Sequence, residues 1–111
     1  MSSTDIQQLL SRRLQLLQEL QTLARILHGS WVERFSVCSR PGCACHSGQR
    51  HGPRYYLVIN QDSHQRQKYI PNEQVTAARE GVAQHQRLQQ IVEEITMINL
   101  ALIKERAYVQ S

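Results

Sequence analysis

The first part of the chain has the apolar spacing of an amphipathic helix. Over residues 4–27, leucine and isoleucine recur three and four positions apart, which places them along one side of a helix. This stripe consists of Ile6, Leu9, Leu16, Leu20, Leu23 and Leu27. Thr4 and Gln7 fit a capping box, and Gly29 suits the left-handed position that follows a helix. The pattern predicts a helix over residues 4–28 that needs an apolar partner.

Residues 31–70 change to short runs that are typical of strands. Residues 31–37 alternate in character, residues 54–59 are rich in aromatic and β-branched side chains, and residues 66–70 follow a polar turn. That turn, residues 60–64, lacks the Asn-Gly or Asp-Gly pair of the tightest hairpins. The pattern predicts a small three-stranded antiparallel sheet.

Helical spacing returns after Pro71 and continues almost to the end of the chain. The stripe consists of Val75, Ala78, Val82, Leu88, Ile91, Ile95, Ile98 and Leu102. Met97, Leu100, Ala101 and Ile103 make the far end of this segment apolar nearly all round. The pattern predicts a long helix over residues 72–107 whose far end is buried on more than one side.

All three cysteines lie in a polar, Gly- and Pro-rich stretch between the first two predicted strands. Cys38, Cys43 and Cys45 form a C-x4-C-x-C pattern, and His46 and His51 follow. Structural zinc takes four tetrahedral ligands, mostly thiolates and imidazoles. We therefore predict one zinc ion per chain, bound by the three cysteines and one histidine. We prefer His51 to His46, because adjacent residues such as Cys45 and His46 rarely both turn toward one ion.

The sequence also allows alternatives to a zinc site at the three cysteines. The thiols could be structural without a metal, or three cysteines and a histidine could hold an iron–sulfur cluster. A catalytic zinc or a cysteine nucleophile is also conceivable. However, the sequence contains no H-E-x-x-H motif, no paired carboxylates near the cysteines and no Gly-rich phosphate loop. We therefore expect a scaffold and not an enzyme.

These elements together predict a single domain, residues 1–111, of the α+β class. Two long helices are expected to form an antiparallel, coiled-coil-like hairpin that flanks the small sheet with its zinc-binding loop. Apolar side chains are in surplus near both ends of the chain. That surplus favours self-association, most simply a homodimer that forms a four-helix bundle.

Positive charge is concentrated around the cysteines. The formal net charge of the chain is +4, and the region 31–68 has six basic residues against two acidic ones. Nucleic acid is the commonest partner of such a region, although a solvated basic surface is the alternative. The candidate phosphate-binding residues are Arg34, Arg40, Arg50, Arg54, Arg66 and Lys68. Tyr55, Tyr56 and Tyr69 could stack on bases, although tyrosines in strands more often belong to the sheet core.

Several short runs resemble a family of small uncharacterised prokaryotic proteins. The runs are Gly29-Ser30-Trp31-Val32-Glu33-Arg34-Phe35, the C-x4-C-x-C stretch, His51-Gly52-Pro53-Arg54-Tyr55-Tyr56-Leu57 and Tyr69-Ile70-Pro71. The resemblance covers roughly residues 29–105, and its H-G-P element supports His51 as a zinc ligand. Arg54 stands where that family usually has an aromatic residue. Members are often tied to transposons and other mobile elements, so the resemblance implies a DNA partner in that setting.

Two functions follow as expectations. The first is a zinc-stabilised DNA-binding accessory protein that assists a transposase or recombinase. The second is a non-enzymatic adaptor that oligomerises through its helices and binds a larger protein partner. No apolar run approaches the roughly 18 residues that a membrane span requires, and the N-terminus lacks the features of a secretory signal. We therefore expect no membrane partner and a cytoplasmic location.

Overall fold

A computed structural model describes residues 3–36 and 51–109. It contains helix α1 (Ser3–Leu20), strands β1 (Ser30–Ser36), β2 (His51–Gln61) and β3 (His64–Ile70), and helix α2 (Val75–Lys104). β2 is the central strand and pairs antiparallel with both neighbours. The predicted α+β class and three-stranded antiparallel sheet are therefore confirmed. Within the described ranges, no helix is long and apolar enough to cross a membrane.

Residue contacts divide the chain into two compact units. One consists of Met1–Ile26 with Ala83–Ser111, and the other is Leu27–Val82. The first unit contains α1 and most of α2, whereas the second contains the sheet and the first turns of α2.

The helical unit has a small core of aliphatic side chains. Leu16 of α1 is fully buried together with Ile91 and Leu102 of α2, and Ile98 is nearly so. Partly buried apolar residues pack around this cluster: Ile6, Leu9, Leu10, Leu23, Ile95 and Ala107. The predicted stripes on both helices are thus the ones that meet, because burial of these side chains removes apolar surface from water.

Two reciprocal ion pairs join α1 to α2 beside this core. The Arg87 guanidinium donates to both carboxylate oxygens of Glu19 at 2.6 and 2.7 Å. Arg12 donates in the same bidentate manner to Glu94, at 2.5 and 3.0 Å. Because the earlier residue of α1 pairs with the later residue of α2, the two helices run antiparallel in this unit. The hydrogen bonds from Arg87 and Arg12 hold the pKa values of Glu19 and Glu94 below their usual range.

Helix α1 ends at Leu20, so the prediction that it reaches residue 28 is wrong. The Thr22 hydroxyl and the Thr22 N–H both donate to the Glu19 carbonyl, at 2.7 and 2.9 Å, which closes a turn there. Beyond this turn, the Arg25 N–H donates to the Gln84 side chain at 2.8 Å. The Leu27 N–H donates to the Gly81 carbonyl at 3.0 Å. Donors that a longer helix would pair internally are therefore satisfied by α2.

Gly29 has a different role from the predicted helix cap. It lies beyond α1, and its φ is not in the left-handed region. A Cβ atom on Gly29 would lie 2.7 Å from the Val58 carbonyl oxygen and 2.9 Å from Leu57 Cγ. Glycine is needed here because the chain passes very close to β2 just before β1 begins.

The turn between β2 and β3 is tighter than the polar run of residues 60–64 indicated. Gln61 and His64 are the last partners in the ladder, so the loop has only two residues. Asp62 and Ser63 both have positive φ, 51° and 63°. This conformation is that of a type I′ turn, which matches the twist of paired strands. Asp adopts the left-handed region more readily than most residues, so this turn forms without glycine.

Helix α2 ends at Lys104, earlier than the predicted end at residue 107. Arg106 has a positive φ of 58°, and its N–H donates to the Ile103 carbonyl. The Ala107 N–H donates to the Leu102 carbonyl at 2.8 Å, and Ala107 packs against the core cluster. These bonds form a Schellman motif, in which glycine usually occupies the position of Arg106.

Before the start of α2, Pro71 precedes a 3₁₀ turn (Asn72–Gln74), and no side chain caps this turn.

The ion pairs predict a specific response to acid. Because the folded state lowers the pKa values of Glu19 and Glu94, their contribution to stability is present above the unfolded-state pKa of about 4.3. It is lost as the pH falls through the lower pKa values of the folded state. We expect the urea midpoint to fall between about pH 7 and pH 3 by a smaller amount in a Glu19→Gln, Glu94→Gln variant than in the wild type.

The matched control for this measurement is Glu93→Gln. Glu93 is also on α2, but within the described part of the chain it makes no ion pair with α1. The Glu93→Gln variant should keep the wild-type loss of stability. Equal acid sensitivity in the double variant and in the wild type would contradict the role of the two pairs.

The end of α2 predicts a stabilising substitution. A left-handed conformation costs an L-residue such as Arg roughly 1–2 kcal/mol, part of which the greater chain entropy of glycine offsets. Arg106→Gly should therefore raise the free energy of unfolding by about 1 kcal/mol, measured by urea denaturation. Lys104→Gly, inside the last turn, should instead lower it by about 1 kcal/mol. The same sign for both variants would exclude the Schellman geometry.

Candidate nucleic-acid interface

The pairing of β1 with β2 brings the two ends of residues 37–50 to neighbouring strands. Ser36 and His51 are partners in the ladder, so His51 is held opposite a residue two positions before Cys38. The other predicted ligands lie outside the described residues, as does the side chain of His51: Cys38, Cys43, Cys45 and the alternative His46. Within the described ranges, no group of three or more His, Cys, Asp or Glu side chains could hold a metal ion. The donor types of the predicted set fit zinc.

The backbone conformation of the His-Gly-Pro run requires glycine at position 52. Gly52 has a φ of 136°, and a Cβ atom there would lie 2.8 Å from the Arg34 carbonyl oxygen. The ladder is irregular between Arg34 and Ser36, and the Gly52–Pro53 peptide bond is cis. Any larger residue at position 52 would therefore push β1 away from β2.

The strand register divides the predicted phosphate-binding residues between two faces of the sheet. Arg34 is the direct partner of Arg54, and Tyr56 is the direct partner of Tyr69. Side chains that are directly opposite share a face, and every second residue of a strand does so too. One face therefore carries Arg34, Arg54, Tyr56 and Tyr69, and we call it the open face.

Arg66 and Lys68 belong to the other face. Their partners in β2 are Ile59 and Leu57, which alternate with the residues of the open face. Both basic side chains are exposed on β3. Arg40 and Arg50, the two remaining candidates, lie outside the described residues. The structure thus places Arg34 and Arg54 on one face of the sheet and Arg66 and Lys68 on the other.

Aromatic rings and a guanidinium group meet on the open face. The Arg34 guanidinium carbon lies 5.3 Å from the centre of the Tyr56 ring. The rings of Tyr56 and Tyr69 are in edge-to-face contact, with centroids 5.8 Å apart. Tyr69 is 53% exposed, and Arg34 and Arg54 are exposed as well. The open face therefore offers flat apolar surface next to two positive charges, a combination that suits bases and phosphates.

The other face is organised around Arg79 from the start of α2. Its guanidinium carbon lies 5.3 Å from the ring centres of both Trp31 and Tyr55. It also donates to Glu33 at 2.9 Å. Leu57, on the same face, is buried. Tyr55 is thus half-buried and held by Arg79 and Trp31, whereas Tyr69 on the open face is exposed.

Sequence reasoning did not single out Arg79. It was one of several charged residues beside the apolar stripe of the last helix, and its contacts are with residues of the sheet. The sequence contained one indication of this role. Arg79 follows Val75 by four residues, and this spacing places Arg79 next to the buried side of α2. Arg79 partly neutralises the negative charge of Glu33. Glu33 therefore reduces the positive charge of the open face less than an unpaired carboxylate would.

Comparisons with known proteins give one result. Neither the curated proteins nor the solved structures contain a match to this chain. A family model described as a domain of unknown function, DUF6788, matches residues 6–80. The match includes most of α1, the whole sheet and the first turns of α2. Because it covers more than half of the sequence, the chain belongs to the DUF6788 family.

Proposed function

We propose that this protein binds DNA through the open face of its sheet. The observation that carries the proposal is the arrangement of Arg34 over Tyr56 and of Tyr56 against Tyr69, with Arg34 and Tyr69 exposed. Arginine pairs with phosphate oxygens, and tyrosine rings accept bases that are not already stacked in a duplex. The substrate that fits both is single-stranded or locally unpaired DNA.

Electrostatics supports the same surface. The region 31–68 has six basic residues and two acidic ones, and Arg79 is paired with one of those two, Glu33. Attraction of a polyanion to such a region concentrates it near the sheet before specific contacts form. Base stacking on Tyr69 would then supply affinity that depends less on salt.

In this proposal, zinc has a structural role beside the open face. Cys38, Cys43, Cys45 and His51 would bind one zinc ion and so order residues 37–50, whose ends are anchored at Ser36 and His51. That segment contains Arg40 and Arg50, two further basic residues of the region 31–68.

The biological setting that we propose is a mobile element. The resemblance of the C-x4-C-x-C and His-Gly-Pro runs to proteins tied to transposons supports it. A protein that binds unpaired DNA would assist a transposase or recombinase, because strand transfer exposes single strands. The protein would act as an accessory factor and not as an enzyme, and its location would be the cytoplasm.

A second candidate is the non-enzymatic adaptor. It is favoured by the apolar side chains that the helical unit exposes, among them Leu14, Leu17 and Ile103. An adaptor would oligomerise through its helices and bind a larger protein without any affinity for DNA. A DNA titration separates the two functions, because only the first requires affinity for DNA.

The open face predicts how single substitutions change DNA binding. Fluorescence anisotropy with a labelled single-stranded oligonucleotide should give a dissociation constant that rises with salt. Tyr69→Ala should weaken binding by about tenfold, since stacking on one base is worth roughly 1–3 kcal/mol. Arg34→Ala should weaken binding and reduce the slope of log K against log salt by about 0.7. Duplex DNA should bind more weakly than the single strand.

The opposite face provides the matched controls. Lys68→Ala and Arg66→Ala remove the same charge as Arg34→Ala, but from the face that does not carry Tyr56 and Tyr69. They should weaken binding less than Arg34→Ala does. Equal losses from both faces would argue against a specific surface, and no binding at low salt would remove the DNA proposal in favour of the adaptor.

The zinc proposal has its own prediction. Purified, reduced protein should contain about one zinc ion per chain, and Cys43→Ser should abolish it, because three remaining ligands bind zinc far more weakly than four. His51→Ala should lose zinc, whereas His46→Ala should retain it; elemental analysis measures both. A folded, reduced wild-type protein without metal would overturn the zinc assignment.

A further inference from the structure

The helical unit leaves much of its apolar surface uncovered. Leu14 is 57% exposed, Leu17 43%, Val92 54% and Ile103 51%. The sequence pattern predicted burial of the far end of α2 on more than one side, and a single chain buries only one side of it. Something outside the single chain would complete this burial.

These side chains gather on one side of the helical pair. At 100° per residue, Leu14 and Leu17 turn away from the core on the side opposite to Arg12 and Glu19. On α2, the same geometry places Leu88, Val92 and Ile103 opposite to Arg87 and Glu94. Since the ion pairs of the antiparallel helices share one side, these exposed side chains share the other, and the partly buried Leu10 and Leu88 lie beside them. We call it the apolar side: Leu10, Leu14, Leu17, Leu88, Val92 and Ile103.

One polar contact lies on the apolar side. The Arg13 guanidinium donates to the Asn99 side chain at 2.8 Å, and both residues are partly buried. The neighbouring residues are mainly neutral, such as Gln21, Gln89 and Thr96. The Arg12–Glu94 and Arg87–Glu19 ion pairs lie on the opposite side. Two copies of the apolar side would therefore meet without burying either ion pair, and the Arg13 guanidinium would keep its hydrogen bond to Asn99.

The apolar side reaches the minimum area of a biological interface. Two helices whose axes are about 9 Å apart, each about 10 Å wide, present a strip roughly 20 Å across. Along the length of α1, about 27 Å at 1.5 Å per residue, the strip covers roughly 540 Å². Two such strips bury roughly 1,100 Å², which exceeds the ~1,000 Å² expected of a biological interface.

We infer that the occupant of the apolar side is a second copy of this chain. A two-fold axis that lies in the plane between two facing apolar sides places α1 and α2 of one copy against those of the other. The result is a four-helix bundle with a shared apolar centre. The Arg13–Asn99 hydrogen bond links α1 to α2 within each copy.

Light scattering coupled to size-exclusion chromatography tests this inference on the full chain in reducing buffer, where the cysteines cannot link copies. The wild type should have twice the chain mass of 12.9 kDa over a hundredfold range of loading concentration. Leu14→Glu and Val92→Glu should each shift the mass toward that of one chain. Circular dichroism should show unchanged helix content, because both side chains are already about half exposed.

Met97→Glu is the matched control. Met97 is 66% exposed, more than any residue of the apolar side named above, but the helical geometry places it on the side of Glu94. It should leave the dimer mass unchanged. A wild-type protein that is monomeric at all concentrations would overturn the inference and leave a different protein as the occupant. A dimer that resists both Leu14→Glu and Val92→Glu would overturn it by placing the interface elsewhere.

Discussion

The antiparallel pairing of the central strand β2 with both neighbours is the constraint on which the sheet unit depends. Its register with β1 places Arg34 beside Arg54, and its register with β3 places Tyr56 beside Tyr69. The same ladder joins Ser36 to His51 and so anchors both ends of the cysteine-containing segment. A shift of one residue in either pairing would send half of the open face to the other side of the sheet. The small glycines support this register, because Gly29 and Gly52 lie where no side chain fits.

Much of the fold was predictable because it depends on local patterns. The apolar spacing of Leu16, Ile91 and Leu102 identified the core of the helical unit, and the composition of residues 54–59 identified β2. The end of α1 was not predictable in the same way. The N–H groups of Arg25 and Leu27 are bonded to Gln84 and Gly81, which are far away in the sequence. A pattern confined to residues 4–28 carries no information about those acceptors.

The candidate site shows a similar limit. The sequence identified the basic residues of the middle region, but their faces depend on whether the turn before β3 has an odd or an even number of residues. The polar run of residues 60–64 left that number open. The two-residue turn at Asp62 and Ser63 pairs Arg66 with Ile59 and so separates it from Arg34. Arg79 was also beyond local reasoning, because its importance comes from its contacts with Trp31 and Tyr55.

The ion pairs of the helical unit have a consequence for alignment of the two helices. Arg12 and Glu19 are one heptad apart on α1, and so are Arg87 and Glu94 on α2. If α2 slid by one heptad, the apolar stripes would still meet, since they repeat at nearly the same interval. Arg12 would then face Arg87 after a slip in one direction, and Glu19 would face Glu94 after a slip in the other. Repulsion between like charges therefore disfavours both misaligned hairpins, which the hydrophobic pattern alone would tolerate.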